Sequence, residues 1–169
     1  MLTAERVSPE VLYSRMPYPA VTPEDIEELK AIARTNPRRR VRLCTHSSEK
    51  DTLHEMLIVQ SRDNYIRPHR HDVKTESYHF IEGSAVVFIL DEAGEVVAQT
   101  RLGTSGALYY RVPAGLYHCF VFTSDWAIFH ESTVGPFNPA ETFFAPWSPV
   151  EGDDDAVEKF LSRLRKATV

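Results

Sequence analysis

The chain has 169 residues, 43% of them hydrophobic, and a formal net charge of −5 at pH 7. That is about one domain's worth of chain, long enough to bury roughly 70% of its unfolded surface without disulfides or a structural metal. No apolar run approaches the ~18 residues of a membrane span, and a chain without a basic footprint is a poor partner for nucleic acid.

The chain opens on an extended arm punctuated by Pro17 and Pro19. Thr22-Pro23-Glu24-Asp25 then reads as a helix start: a hydroxyl cap, proline at the first helical position and acids in the first turn. Ile26, Leu29, Ile32 and Ala33 recur at helical spacing, which predicts a short amphipathic helix over 23–34, stopped by Asn36-Pro37. From residue 38 the period changes. Apolar runs through Val41 and Leu43 and through Met56–Val59 are followed by Ser84–Leu90, Glu95–Leu102, Ala107–Val112, Tyr117–Thr123 and Trp126–Glu131. Gly, Pro, Asp and Ser clusters bound these runs. Regularly spaced short strands with no helix between them predict an all-β antiparallel sandwich or barrel. AVVFIL and HCFVF are apolar on both parities, as in strands covered on both faces.

After residue 134 the chain is rich in proline and aromatics. Phe137, Phe143, Phe144 and Trp147 are expected along the outside of the barrel, with coverage of its mouth as the functional alternative. Ala156–Lys166, with Val157, Phe160, Leu161 and Leu164 on one face, predicts a closing helix. The expected organisation is a single domain: an arm and helix over 1–37, a barrel over 38–134, and an extension with the closing helix over 135–169.

Charge is distributed unevenly. Glu151, Asp153, Asp154 and Asp155 carry most of the net negative charge, leaving the body nearly neutral. Basic character gathers at Arg38, Arg39, Arg40 and Arg42, which read either as a solvated strand edge or as a fork for carboxylate or phosphate. Cys44 and Cys119 form no CxxC pair, and the N-terminus lacks the basic start and apolar core of a signal peptide. The expectation is a cytoplasmic protein with free thiols.

Seven histidines fall at positions 46, 54, 69, 71, 79, 118 and 130. His69 and His71 lie at i, i+2, so in a strand both point to one face, ~6.6 Å apart along the chain. Glu76 follows five residues after His71, within reach across a short loop, and Pro113–His118 sets another imidazole just after a tight turn. Three imidazoles and one carboxylate suit one divalent transition metal ion (Fe, Zn, Ni or Mn) rather than Ca or Mg.

The spacing HxHx4Ex6G followed by PxGxxH, here HRHDVKTESYHFIEG and PAGLYH, resembles the two motifs of the cupin superfamily. Two departures stand at non-ligand positions: Asp63 where the general motif begins with glycine, and Phe122 where it ends with asparagine. From Arg40 to Pro149 the segments RVRLCTH, LHEMLI, YIRPHRHDVKTESYHFIEG, YYRVPAGLYH, FHESTVGPF and APWSP resemble the WbuC family of cupin-fold metalloproteins. The resemblance implies a cupin double-stranded β-helix (jelly-roll barrel) with a short N-terminal and a C-terminal helix. It also implies a metal held by His69, His71, Glu76 and His118, and a bacterial cell-surface polysaccharide (O-antigen) context; it brings no reaction with it.

Around that quartet, His54-Glu55 and His130-Glu131 read either as cross-strand polar pairs or as pairs with one member inside the barrel. Glu131 is the preferred acid–base candidate, on the expectation that its strand lies beside the HxH strand. Lys74, between His71 and Glu76, is either a solvated loop lysine or a partner for an anionic ligand, and His79 is of the wrong parity to face the metal. Arg40, Arg42, Cys44 and His46 share one parity, inward or outward, and Tyr110 and Arg111 pose the same choice. The reading favoured is a metal-dependent isomerase or dioxygenase acting on a small anionic or sugar-related metabolite, with Arg42 and Lys74 assisting binding. A non-catalytic binding or sensing cupin and a metal-free epimerase-like cupin are the alternatives. A homodimer is expected, because cupin barrels resembling this one often pair and the first barrel strand with its preceding arm would otherwise leave a long unpaired edge.

Overall fold

The computed structural model describes residues 2–167. Strands β1 (Ala4–Arg6) and β2 (Val11–Ser14) precede helix α1 (Pro23–Thr35). The barrel strands follow: β3 (Arg40–Cys44), β4 (Leu53–Ser61), β5 (His69–Arg70), β6 (Glu76–Glu82), β7 (Ser84–Leu90), β8 (Val96–Gly103), β9 (Tyr109–Val112), β10 (Tyr117–Phe122) and β11 (Trp126–Val134). Strand β12 (Phe143–Phe144) and helix α2 (Asp154–Ala167) close the chain. Two sheets face each other, one ordered β1-β2-β3-β4-β11-β6-β9 and the other β12-β5-β10-β7-β8.

Period-2 alternation assigns the faces. In β7, Ala85, Val87 and Ile89 point into the barrel while Val86, Phe88 and Leu90 point out; in β10, Phe120 and Phe122 point in while Tyr117, Cys119 and Val121 point out. The outward rows are not solvated, which is why both parities are apolar. Helix α2 covers one sheet with Phe160, Leu161 and Leu164. Helix α1 covers the other, seating Leu29 and Ala33 on Val41, Leu43, Leu57 and Val59. The start of α1 is the capping box its sequence suggests: the Asp25 N–H donates to Thr22 Oγ1 (3.3 Å) and the Thr22 N–H to Asp25 Oδ2 (3.0 Å), a device worth about 1 kcal/mol.

The N-terminal arm is more ordered than its prolines suggest. β1 and β2 form a hairpin, and β2 runs parallel to β3, pairing Val11 with Arg42 and Tyr13 with Cys44. The arm thus covers the edge of β3 and leaves β1 as the outer strand of that sheet. The free thiols are buried, Cys44 inside the barrel and Cys119 under α2. Gly83 closes the first motif at φ 76°, where a Cβ would come within 2.0 Å of the Trp126 carbonyl oxygen. Among the described residues no helix is long and apolar enough to cross a membrane.

Candidate metal centre and its cavity

The site forms where the two sheets meet at one end of the barrel. Register does the first part of the work: β5 pairs with β10 so that His69 lies opposite His118, bringing their ring centroids to 4.6 Å. Strand parity then puts His71 on the same side, its ring 5.3 Å from that of His69. Arg70 points outward, its guanidinium over the Tyr117 ring and paired with Asp72 and Glu92. The turn of the second motif is tied to the first, since the Gly115 N–H donates to the His71 carbonyl (2.8 Å). Glu76 reaches in from β6, in the facing sheet. Donor atoms of His69, His71 and Glu76 all lie within 4.8 Å of one another, and His118 Nε2 lies 2.9 Å from Glu76 Oε2.

The hydrogen bonds orient these rings for a cation. Each Nδ1 contacts a backbone carbonyl: His69 that of Arg67 (2.9 Å), His71 that of Glu141 (3.0 Å) and His118 that of Leu116 (3.1 Å). A carbonyl only accepts, so every Nδ1 carries the proton and every neutral ring presents a bare Nε2 lone pair. Those lone pairs face the Glu76 carboxylate, with His71 Nε2 at 3.2 Å from Oε1. Lone pairs facing a carboxylate repel unless a positive charge sits between them, and a divalent metal supplies it. The residues present fit such an ion.

Titration follows the same geometry. Burial, reinforced by His118, pushes His69 down to about 4, so it is neutral at physiological pH, as a metal ligand must be. Burial also pulls His71 down, but in the ion-free site a proton on Nε2 takes the place of the cation beside Glu76, and this holds His71 above its ordinary value. Burial would raise Glu76; its contacts with His118 and His71 instead hold it well below the usual carboxylate range. The Tyr78 hydroxyl donates to Glu76 Oε2 (2.9 Å) and lies 3.4 Å from His118 Nε2. Sequence reasoning missed Tyr78, although its i, i+2 spacing from Glu76 puts both on one face of β6.

The cluster opens into a cavity of about 230 Å³ whose lining includes Arg42, His54, Met56, Phe129 and Glu131. Glu131 is half-buried and faces this cavity, on the central strand β11 between Met56 of β4 and Tyr78 of β6. Its neighbours are thus β4 and the Glu76 strand, not the HxH strand as expected; β5 belongs to the facing sheet. Burial, reinforced by the Glu76 charge, raises its carboxyl to about 8. One member of each His-Glu pair points inside, His54 and Glu131. Glu55 and His130 meet on the outer face, with His130 Nε2 3.8 Å from Glu55 Oε1.

The β3 face is settled by its surroundings. Cys44 lies in the interior cluster, His46 stacks on His54 (centroids 4.1 Å apart), and Arg42 lines the cavity. Arg40 pairs with Glu10 (2.6 Å). Tyr110 packs inward while Arg111 and His79 are exposed. Lys74 lines the cavity, yet its ammonium is already engaged by the Pro136 carbonyl (2.8 Å) and Glu141 (2.9 Å). The aromatic extension divides between the two expected roles. Phe137 lines the mouth and Phe144 sits against His69 through the β12–β5 pairing, whereas Trp147 packs outside on Tyr117 and Phe160. Of the two motif departures, Asp63 pairs with Arg39 and Phe122 belongs to the aromatic interior.

Two facing sheets, a cavity between them and a His/His/Glu cluster at one end define a cupin β-barrel with a candidate metal site. Protein SO0799 from Shewanella oneidensis shares this fold, with a TM-score of 0.51 and 13% identity over 61% of this chain and 72% of that one. The capsular polysaccharide assembling protein CapF from Staphylococcus aureus aligns with a TM-score of 0.50 and 15% identity over 56% of this chain. Oxalate decarboxylase OxdC from Bacillus subtilis aligns with a TM-score of 0.46 and 25% identity over 56% of this chain. The chain spans 27% of the CapF chain and 24% of the OxdC chain. A family model for a domain of unknown function (DUF6016) matches residues 21–102, from α1 through most of β8, taking in His69, His71 and Glu76 but not His118. No curated protein matches the chain.

Proposed function

We propose that the protein is a metal-dependent cupin enzyme acting on a small anionic or sugar-related metabolite, by isomerisation or dioxygenation. The observation that carries this reading is the orientation of the three imidazoles: each Nδ1 is anchored on a carbonyl and each Nε2 is turned to Glu76 at the end of a cavity. His69, His71, Glu76 and His118 would hold one divalent ion (Fe, Zn, Ni or Mn), leaving positions for ligand oxygens. When bound, the ion supplies Lewis-acid polarisation of a carbonyl or hydroxyl oxygen.

The chain's own groups supply the rest. Glu131 holds a proton near neutral pH because of its burial, and it faces the same cavity, so it is placed to give and take a proton at a bound ligand. Arg42 offers a guanidinium to an anionic group; Lys74, bound to Pro136 and Glu141, contributes by holding the cavity wall. The WbuC resemblance from Arg40 to Pro149 supports a role in bacterial cell-surface polysaccharide metabolism, and the fold is shared with CapF, a capsular polysaccharide assembling protein.

The test is elemental analysis of protein purified without a nickel column, joined to a thermal-stabilisation screen of small acids and sugars and to turnover assays on the hits. About one equivalent of bound transition metal, and a stabilising ligand that is consumed, are expected. A stabilising ligand that is never consumed would make the protein a binding or sensing module. A chain that turns over ligand without metal would be an epimerase-like cupin.

A further inference from the structure

We infer that the cavity takes a small two-ended acid, one end at the His69–His71–Glu76–His118 cluster and a second carboxylate on the Arg42 guanidinium. The inference rests on the metal-dependent reading above and narrows its ligand to a dicarboxylate-sized molecule.

The charged groups of this region differ in one respect. Arg38 pairs with Glu151 (2.7 Å), Arg39 with Asp63 (3.2 Å), Arg40 with Glu10 (2.6 Å) and Lys74 with Glu141 (2.9 Å). Among the described residues the Arg42 guanidinium has no hydrogen bond and no ion pair, although it lines the same cavity as the histidine cluster. A planar fork left open at a cavity wall matches a carboxylate, which it grips through two parallel hydrogen bonds.

Register places the two ends apart. Glu76 shares a tier with Thr133 and His54; one tier deeper lie Tyr78, Glu131, Met56 and Cys44; a further tier brings Phe80, Phe129, Ile58 and Arg42. Glu131 thus stands between the cluster and Arg42, and among the described residues its carboxyl likewise makes no hydrogen bond. A second chamber of about 200 Å³, lined by Arg40 and Glu10, shares Arg42, Ile58 and Glu131 with the first. Arg42, itself exposed to solvent, therefore lies on the wall that the two chambers share.

Size and charge narrow the class. At about 230 Å³ the chamber is smaller than the ~300–1,000 Å³ that drug-sized ligands fill, so a nucleotide-sugar would have to extend well beyond it. Counted without Glu131, a divalent ion, the Glu76 carboxylate and Arg42 leave two positive charges in excess. A dicarboxylate neutralises both, and the apolar walls of Met56, Ile58 and Phe129 suit a short carbon chain between its ends.

The experiment is calorimetric titration of succinate, malonate, acetate, inorganic phosphate and UDP-glucose into protein loaded with one equivalent of Zn2+, and into Arg42→Met and Arg42→Lys. The wild type is expected to bind succinate or malonate at least tenfold more tightly than acetate or phosphate. Arg42→Met should lose about 10–100-fold toward the dicarboxylate and little toward acetate. Arg42→Lys, which keeps the charge and loses the fork, should fall between. Equal dicarboxylate affinity in wild type and Arg42→Met, tighter binding of UDP-glucose than of either acid, or no binding of any probe would overturn the inference. Dicarboxylate binding that survives EDTA treatment but is lost in Arg42→Met would instead overturn the metal reading, and with it the placement of one end of the acid.

Discussion

The two ends of the barrel are built from the same strands and do different work. At the far end, Phe80 of β6 and Phe120 and Phe122 of β10 stack around Phe129 of β11, with centroids 5.1, 6.1 and 6.3 Å from it. At the open end the same three strands present Glu76 and Tyr78, His118, and Glu131. Two residues along a strand separate an aromatic plug from a polar cluster: Phe120 from His118, and Phe129 from Glu131. The plug gathers apolar area and offers a ligand only the apolar wall that Phe120 and Phe129 turn to the cavity. The open end gathers buried polar groups whose desolvation is costly unless a cation and a ligand compensate it. Stability and chemistry are thus assigned to opposite ends of one interior, and each end should respond separately to substitution.

The largest effect expected is on metal content. His69→Ala combined with His118→Ala removes the pair that β5 and β10 align, and bound metal should fall from one equivalent to a small fraction. The circular dichroism spectrum and the denaturation midpoint of the metal-free form should stay unchanged. A full equivalent retained would break the assignment of that end.

Phe129→Ala probes the other end. It should cost about 3–5 kcal/mol, a fall of roughly 10 °C or more in Tm, while folded protein still binds metal stoichiometrically. Loss of metal from the folded variant would show that the plug and the cluster are coupled.

Tyr78→Phe sits at the boundary. Removing the hydroxyl that donates to Glu76 Oε2 should weaken metal affinity by about 10–100-fold with little change in Tm, as measured by competition with a chelating dye.

The last effect expected is a slope in the pH dependence of stability. Burial raises the Glu131 carboxyl to about 8 in the folded protein, from an ordinary value of 4.5. Between these values the folded chain keeps a proton that the unfolded chain has lost, so this group's contribution to stability falls as pH rises through that window. In metal-free protein, Glu131→Gln should flatten the stability–pH curve between about pH 4.5 and 8. Parallel curves for the two proteins would mean that Glu131 is solvated as an ordinary surface acid.

Motif spacing alone made the quartet legible. Two imidazoles at i, i+2, a carboxylate across a short loop and a histidine after a glycine turn need only strand parity to converge. The helix boundaries were legible for an equally local reason, since Thr22, Pro23 and Asp25 satisfy or complement the first helical N–H groups by themselves. The double apolar parity of β7 and β10 likewise announced a cover on both faces.

The remainder depended on contacts distant in sequence. Whether Arg42, Cys44 and His46 look inward is decided by α1 occupying the opposite face of β3, because Val41 and Leu43 pack on Leu29 and Ala33. The covered edge of β3 is decided by an arm some thirty residues upstream. The His71 ring is held by the carbonyl of Glu141, seventy residues away, a group that every residue carries and that no motif can single out. Lys74 looked available in the chain and is engaged in the fold, whereas Arg42 looked like one member of a basic run and, among the described residues, is the member of that run left open to the cavity. Residue types and short spacings determined the candidate ligand set and the local elements. Which charges remain unpaired was decided by tertiary structure, because an ion pair forms between whichever opposite charges the packing of sheets and helices brings within a few ångströms.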